Sequence, residues 1–348
     1  FFSNRMEKRK LAEAEAALSD AAKCERSGWL KSRDLDGAAS AYERAATLFR
    51  VARAYPQAIE AYMKAADAQQ ALESAAAAAR LLESAAVLAK DNLKAEANAA
   101  ALYERASELH LGVLSLDRAA AALCKAARTI EGSDTPRACA LMLRACSLFD
   151  DGEEEAQLRH SADTFGAAVA LLLRAGRRSE TAALLRRQVL VYARLRRTHD
   201  VARSELSAVI INLAAGEYEQ ASIGCTKAEA RPDGFAGTDE ADLARRLLAA
   251  FAAQDADGLA AAVSDGTLAA VDNTVALLAR DLTLASARVP AAYLAPPARR
   301  PAAAGSGAAS GGGCLASSAA AHASEQPVGT GDFGEMAPED ELEDDDLT

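Results

Sequence analysis

The chain has 348 residues, a formal net charge of -11 with histidines neutral, and 51% apolar residues, while aromatics make up only 5%. Roughly a quarter of the positions are alanine, well above ordinary usage, and alanine loses no side-chain entropy in a helix and lets helices approach closely. With 21 glycines and 9 prolines the turn content of an all-β protein is missing, and the acidic balance argues against a general nucleic-acid binder. No apolar run reaches the ~18–20 residues of a membrane span. Phe1-Phe2 is followed at once by Ser3, Asn4 and Arg5, so no signal-peptide core is formed. The expectation is a soluble, cytoplasmic, all-α protein.

In chain order, the first strong signal is a bulky residue followed three positions later by alanine: Tyr42/Ala45, Tyr62/Ala65, Leu82/Ala85, Tyr103/Ala106, Leu123/Ala126 and Met142/Ala145. Successive anchors stand 20, 20, 21, 20 and 19 residues apart. Residues three apart share a helix face, so the large side chain of one helix can enter the notch left by alanine on its neighbour. One helix and a short turn per period predict antiparallel hairpins of ~40 residues, between the tetratricopeptide (TPR) and HEAT periods. Breakers fall where turns are due, at Asp34–Gly37, Tyr55-Pro56, Asp91-Asn92, Gly132–Pro136 and Asp150–Glu155. Beyond residue 155 the period loosens, and helices are predicted at 157–175, 178–196, 199–214, 217–229, 239–254 and 271–288. The whole reads as a TPR-like α-solenoid of thirteen or fourteen helices over residues 1–290, each hairpin burying its apolar face against its neighbours.

Past Pro290 the composition changes. Residues 291–331 read as a flexible Pro/Gly/Ser/Ala linker, and 332–348 as a disordered acidic tail ending Glu343-Asp344-Asp345-Asp346-Leu347-Thr348. Residues 301–348 hold ten acids and no Lys or Arg, so residues 1–300 carry -11 + 10 = -1. The excess charge belongs to the tail.

Few residues carry a chemical signature. The six cysteines are scattered, with no CxxC, and read as reduced thiols acting as small hydrophobes. The four histidines lack a second ligand at metal-binding spacing. Asp150-Asp151-Gly152-Glu153-Glu154, with Asp255 and Asp257, resembles a Mg2+/diphosphate motif of helical enzymes, but its place in a turn between repeats favours a solvated loop. Phosphate-loop, dinucleotide and nucleophile-elbow motifs are missing. No catalytic residue, metal site or cofactor is expected. A basic run is more distinctive: Arg174, Arg177, Arg178, Arg186, Arg187, Arg194, Arg196 and Arg197 face only Glu180 nearby, a local field suited to an acidic protein surface or anionic lipid. The chain's one tryptophan lies in Gly28-Trp29-Leu30-Lys31, in a loop between the first two helices, and suits shallow insertion into an anionic bilayer surface.

That loop, followed by Ala38-Ala39-Ser40-Ala41-Tyr42-Glu43-Arg44-Ala45-Ala46 and Gln57-Ala58, is the start of a longer pattern. Leu172-Leu173-Arg174-Ala175-Gly176-Arg177-Arg178, Asn212–Tyr218, Pro232-Asp233-Gly234-Phe235 and Gln254-Asp255-Ala256-Asp257 continue it. In order and spacing these segments resemble the soluble NSF attachment protein (SNAP) family, its gamma form most closely, over residues 10–290 and the extreme C-terminus. The resemblance implies a twisted sheet of helical hairpins capped by a C-terminal helical bundle. It also implies a non-catalytic adaptor that binds assembled SNARE four-helix bundles (syntaxin-type and vesicle SNAREs) and recruits the hexameric NSF ATPase to disassemble them in vesicle fusion and membrane traffic. By the same resemblance, Trp29, Leu30 and Lys31 form a membrane-contact loop. Leu347, with Glu343, Asp344, Asp345 and Asp346, stimulates NSF. The expected location is cytoplasmic, peripheral to vesicle, Golgi/endosomal or vacuolar membranes. The family's basic SNARE contact is not matched position by position, so the arginine run is a candidate read from the residues themselves. A generic TPR-like scaffold clasping another acidic cargo is the alternative.

Overall fold

The computed structural model describes residues 2–26, 33–150, 158 and 161–294, with side chains from Met6 onward. Among these residues fourteen α-helices follow one another without a strand. They are α1 (Phe2–Glu25), α2 (Leu35–Val51), α3 (Tyr55–Ala71), α4 (Ala75–Asp91), α5 (Glu96–Gly112), α6 (Leu116–Ile130), α7 (Thr135–Ser147), α8 (Ser161–Arg174), α9 (Arg178–Arg194), α10 (Thr198–Ala214), α11 (Tyr218–Glu229), α12 (Asp239–Ala253), α13 (Ala256–Val263) and α14 (Asn273–Arg280). The all-α hairpin array expected from the heavy/light rhythm is the fold observed. All six bulky anchors are buried, and each partner alanine is 0% exposed. Every helix from α1 to α7 packs chiefly on the one before and the one after.

The turns explain the period. After α2, α3, α5, α8, α9 and α10 one residue takes a left-handed conformation: Arg53, Glu73, Leu114, Gly176, Arg196 and Gly216, with φ between 53° and 85°. Its amide bonds the carbonyl three residues back and the next amide the carbonyl five back, as in Gly176 N to Leu173 O (3.0 Å) and Arg177 N to Leu172 O (2.9 Å). In the α4–α5 turn the left-handed residue is Lys94, one position later, which accounts for the single step of 21.

These positions also correct the sequence reading. The backbone period does not loosen after residue 155, because 176, 196 and 216 stand 20 apart. The stripe continues as Phe165/Ala168, Leu185/Gln188, Glu205/Ala208 and Cys225/Ala228, all buried. Gln188 and Glu205 stand in apolar slots, which hides the repeat from a hydrophobicity pattern.

Ion pairs join helices two apart. Asp67 on α3 meets Arg105 on α5 (2.5 Å), and Glu104 on α5 meets Arg137 on α7 (2.5 Å). Glu83 on α4 meets Lys125 on α6 (2.8 Å), and Glu131, just past α6, meets Arg174 at the end of α8 (2.8 Å). In each case the acid precedes the base by about one ~40-residue hairpin. These four pairs tie odd-numbered helices to odd-numbered ones and even-numbered helices to even-numbered ones.

The C-terminal helices collect around α10. Twelve of its residues are buried, among them Val201, Leu206, Ile210, Ile211 and Leu213, and a helix apolar on all sides needs neighbours on all sides. α11, α12 and α14 supply them after α9. Two expectations fail here. Residues 255–270, left between the helices predicted at 239–254 and 271–288, instead hold α13, whose Gly258 N bonds the Asp255 side chain (3.0 Å). The helix predicted at 271–288 spans only Asn273–Arg280. Beyond it Ala287 and Val289 are both buried while Arg288 between them is exposed, a two-residue alternation that extended backbone makes and a helix does not.

Candidate functional site

The arginine run does not form one patch. Arg174, Arg177 and Arg178 lie around the α8–α9 turn, whereas Arg194, Arg196 and Arg197 lie around the α9–α10 turn. Seventeen residues of α9 separate these ends by about 25 Å, beyond the ~8–10 Å over which salt screens exposed charges. Most of the charge is also met. Arg174 makes two bonds to Glu131 (2.8 and 3.1 Å), and Arg177 pairs with Glu180 (2.9 Å). Arg178 Nη1 donates to the Ala214 carbonyl (2.7 Å). Arg197 pairs with Asp200 (2.6 Å) and lies over the Tyr192 ring, 5.2 Å from its centroid. Arg194 donates to the Asp150 carbonyl (2.5 Å). Three of these partners, Glu131, Asp150 and Ala214, lie far off in the chain and were invisible to a count of charges within the run.

Arg186 and Arg187 are neighbours that point apart, as adjacent helical residues must. Arg187 holds the Asp150 carboxylate, while Arg186 lines a cleft against Asn212 on α10. Arg186 and Arg196 are the members of the run without a hydrogen bond or ion pair among the described residues.

A second basic face was missed. Arg118, Lys125 and Arg128 stand on one exposed stripe of α6 and line a cleft of about 320 Å³ with Asp163 and Thr164 of α8. Lys125 is held by Glu83, whereas Arg118 and Arg128 have no ion pair among the described residues. Spacings of seven and three were the available signal, diluted because three cations do not make a run.

The acidic motif is structural where it is described. Asp150 is engaged by Arg187, and Asp255 caps α13. No group of three or more His, Cys, Asp or Glu among the described residues is placed to hold a metal ion. Cys124, Cys139, Cys146 and Cys225 are buried free thiols. Burial pushes the thiols of Cys124 and Cys146 up and that of Cys225 to about 11, so all three remain protonated and inert. No helix among the described residues is long and apolar enough to cross a membrane. Trp29, Leu30 and Lys31, the linker at 295–331, and Glu343, Asp344, Asp345, Asp346 and Leu347 lie outside the described residues.

A continuous stack of alanine-packed hairpins, whose named polar residues cap, pair or line clefts, defines a helical-repeat scaffold. Residues 6–266 match the family model described as soluble NSF attachment protein, SNAP, and the chain belongs to that family. It is 28% identical over 283 residues to the gamma-soluble NSF attachment protein of Dictyostelium discoideum, covering 81% of this chain and 86% of that protein. To the gamma-soluble NSF attachment protein of Arabidopsis thaliana it is 30% identical over 251 residues, 72% of this chain and 84% of that protein.

Proposed function

We propose that this chain is an NSF attachment adaptor: it binds assembled SNARE four-helix bundles and recruits NSF to take them apart, with no catalytic step of its own. The observation that carries this reading is the family match across residues 6–266, joined by two relatives named for NSF attachment. Exposed cations without ion pairs, Arg118 and Arg128 on α6 and Arg196 at the α9–α10 turn, would meet acidic SNARE surfaces. The paired arginines Arg174, Arg177, Arg178, Arg187, Arg194 and Arg197 would contribute only by exchanging partners. Trp29, Leu30 and Lys31 would touch an anionic bilayer, giving peripheral membrane association. Leu347 with Glu343, Asp344, Asp345 and Asp346 would engage basic surfaces of NSF. Several weak contacts acting together raise affinity through effective concentration.

The test is reconstitution with purified NSF, ATP and a SNARE bundle, using the full chain and a chain ending at residue 331. The full chain should support disassembly. The shortened chain should still bind the bundle but fail to support disassembly. Absence of any co-assembly by the full chain would overturn the proposal and leave the generic acidic-cargo scaffold.

A further inference from the structure

A cleft of about 520 Å³ opens where α9, the α10–α11 turn and the segment after α14 meet. Its position is set by the chain doubling back. Tyr293 packs edge-on against Tyr218 at the start of α11 (ring centroids 5.6 Å apart), and Tyr218 in turn donates to the Leu248 carbonyl (3.2 Å). This return lays Arg288 along the cleft that Arg186 of α9 also lines. Neither arginine has a hydrogen bond or ion pair among the described residues. Asn212 of α10 also lines the cleft. Two exposed guanidinium groups without hydrogen-bond partners, brought to one hollow from separate elements, leave their donors open to a bound anion.

We propose that this cleft is a binding site for a phosphate ester carried on a hydroxylated molecule. Arg186 and Arg288 supply forked donors for phosphate oxygens, and the Asn212 amide supplies another. The rest of the lining selects the carrier. Glu217, whose carboxylate already accepts from Ser179 Oγ (2.9 Å), and Glu219 both line the cleft. Carboxylates accept from hydroxyl groups, which favours a phosphate whose carrier bears hydroxyls beside it, as a sugar or inositol does. The site is separate from the NSF attachment reading and does not rest on it.

The probe is inositol trisphosphate, titrated calorimetrically into the full chain, with vesicles containing phosphatidylinositol bisphosphate, or phosphatidylserine at equal charge, as the lipid arm. Binding of the free probe is expected, with affinity falling about tenfold in Arg288→Gln and in Arg186→Gln and unchanged in Arg80→Gln, an exposed position on α4. Vesicle binding that depends on Arg288 and on the bisphosphate identifies the source as a lipid headgroup. Binding of the free probe alone identifies a soluble ester. Equal affinity in all three variants, no binding by the unaltered chain, or Arg288-dependent binding of poly-glutamate in place of the probe each overturns the proposal. A SNARE pull-down with Arg288→Gln keeps the result distinct from failure of the adaptor reading.

Discussion

Arg187 holds Asp150 through two parallel bonds, Nε to Oδ1 at 3.1 Å and Nη2 to Oδ2 at 2.6 Å, and so ties the end of α7 to the middle of α9 across 37 residues. Both side chains are about one-third exposed, which puts the pair between a surface bridge and a buried one. A double-mutant cycle with Arg187→Ala and Asp150→Ala should give a coupling of about 1 kcal/mol in the denaturation midpoint. Because the guanidinium occupies the carboxylate, millimolar Mg2+ or a chelator should leave the melting temperature unchanged. A Mg2+-dependent rise of several degrees would restore the metal reading of the acidic motif.

The left-handed turn residues predict opposite effects of glycine by position. Leu114 adopts φ 55° while 80% exposed, so its side chain bears the backbone cost with little burial in return. Leu114→Gly and Arg196→Gly should each raise stability by about 0.5–1 kcal/mol. Gly176→Ala and Gly216→Ala should each lower it by about 1 kcal/mol. Urea midpoints distinguish the two directions.

The alanine notches should tolerate no enlargement. Ala85 and Ala106 are fully buried against neighbouring helices, so Ala106→Leu should cost about 1–3 kcal/mol through overpacking. Leu82→Ala, which empties a fully buried anchor, should cost about 2–5 kcal/mol. Equal tolerance of both by chemical denaturation would contradict the heavy/light account of the core.

Glu205 carries a pH signature. Burial holds its carboxyl above the usual 4.5, and Arg231, which bonds it, pulls the other way. The folded state therefore takes up this proton more readily than the unfolded one. Relative to Glu205→Gln, the natural chain should gain stability as pH falls from neutral through the raised pKa, the gain being complete below about 4.5. Asp265 runs oppositely: Arg246 and Thr267 lower it from 3.8 to about 2, so its contribution is present above 3.8 and lost as pH falls through 2. Parallel melting curves recorded across these two windows check both signs.

At the functional level, Trp29→Ser with Leu30→Ser should reduce SNARE disassembly on liposomes far more than in detergent. Indistinguishable rates on liposomes for altered and natural chains would remove the membrane-contact role.

Alternation of size along one helix face is local information, and so the hairpins around Tyr42, Tyr62, Leu82, Tyr103, Leu123 and Met142 were legible from residues alone. The equivalent positions Gln188 and Glu205 broke the apolar code, and only the recurrence of left-handed turns at 176, 196 and 216 exposed the continuing period. The arginine run was legible as composition but not as a surface. Helical geometry spreads it along α9, and Glu131 and Asp150 reach it from earlier hairpins.

By itself, then, the sequence determined the helical class, the ~20-residue unit and the confinement of excess charge to the last residues, because these follow from propensity, face periodicity and simple counting. Only the tertiary structure decided which charges are committed. Coulomb attraction and hydrogen bonding act at a few ångströms, and stacking brings together side chains 33 to 43 residues apart that no local pattern connects. The same stacking brought Arg186 and Arg288 to one cleft without a hydrogen bond or ion pair among the described residues, a juxtaposition made by the return of the chain after α14.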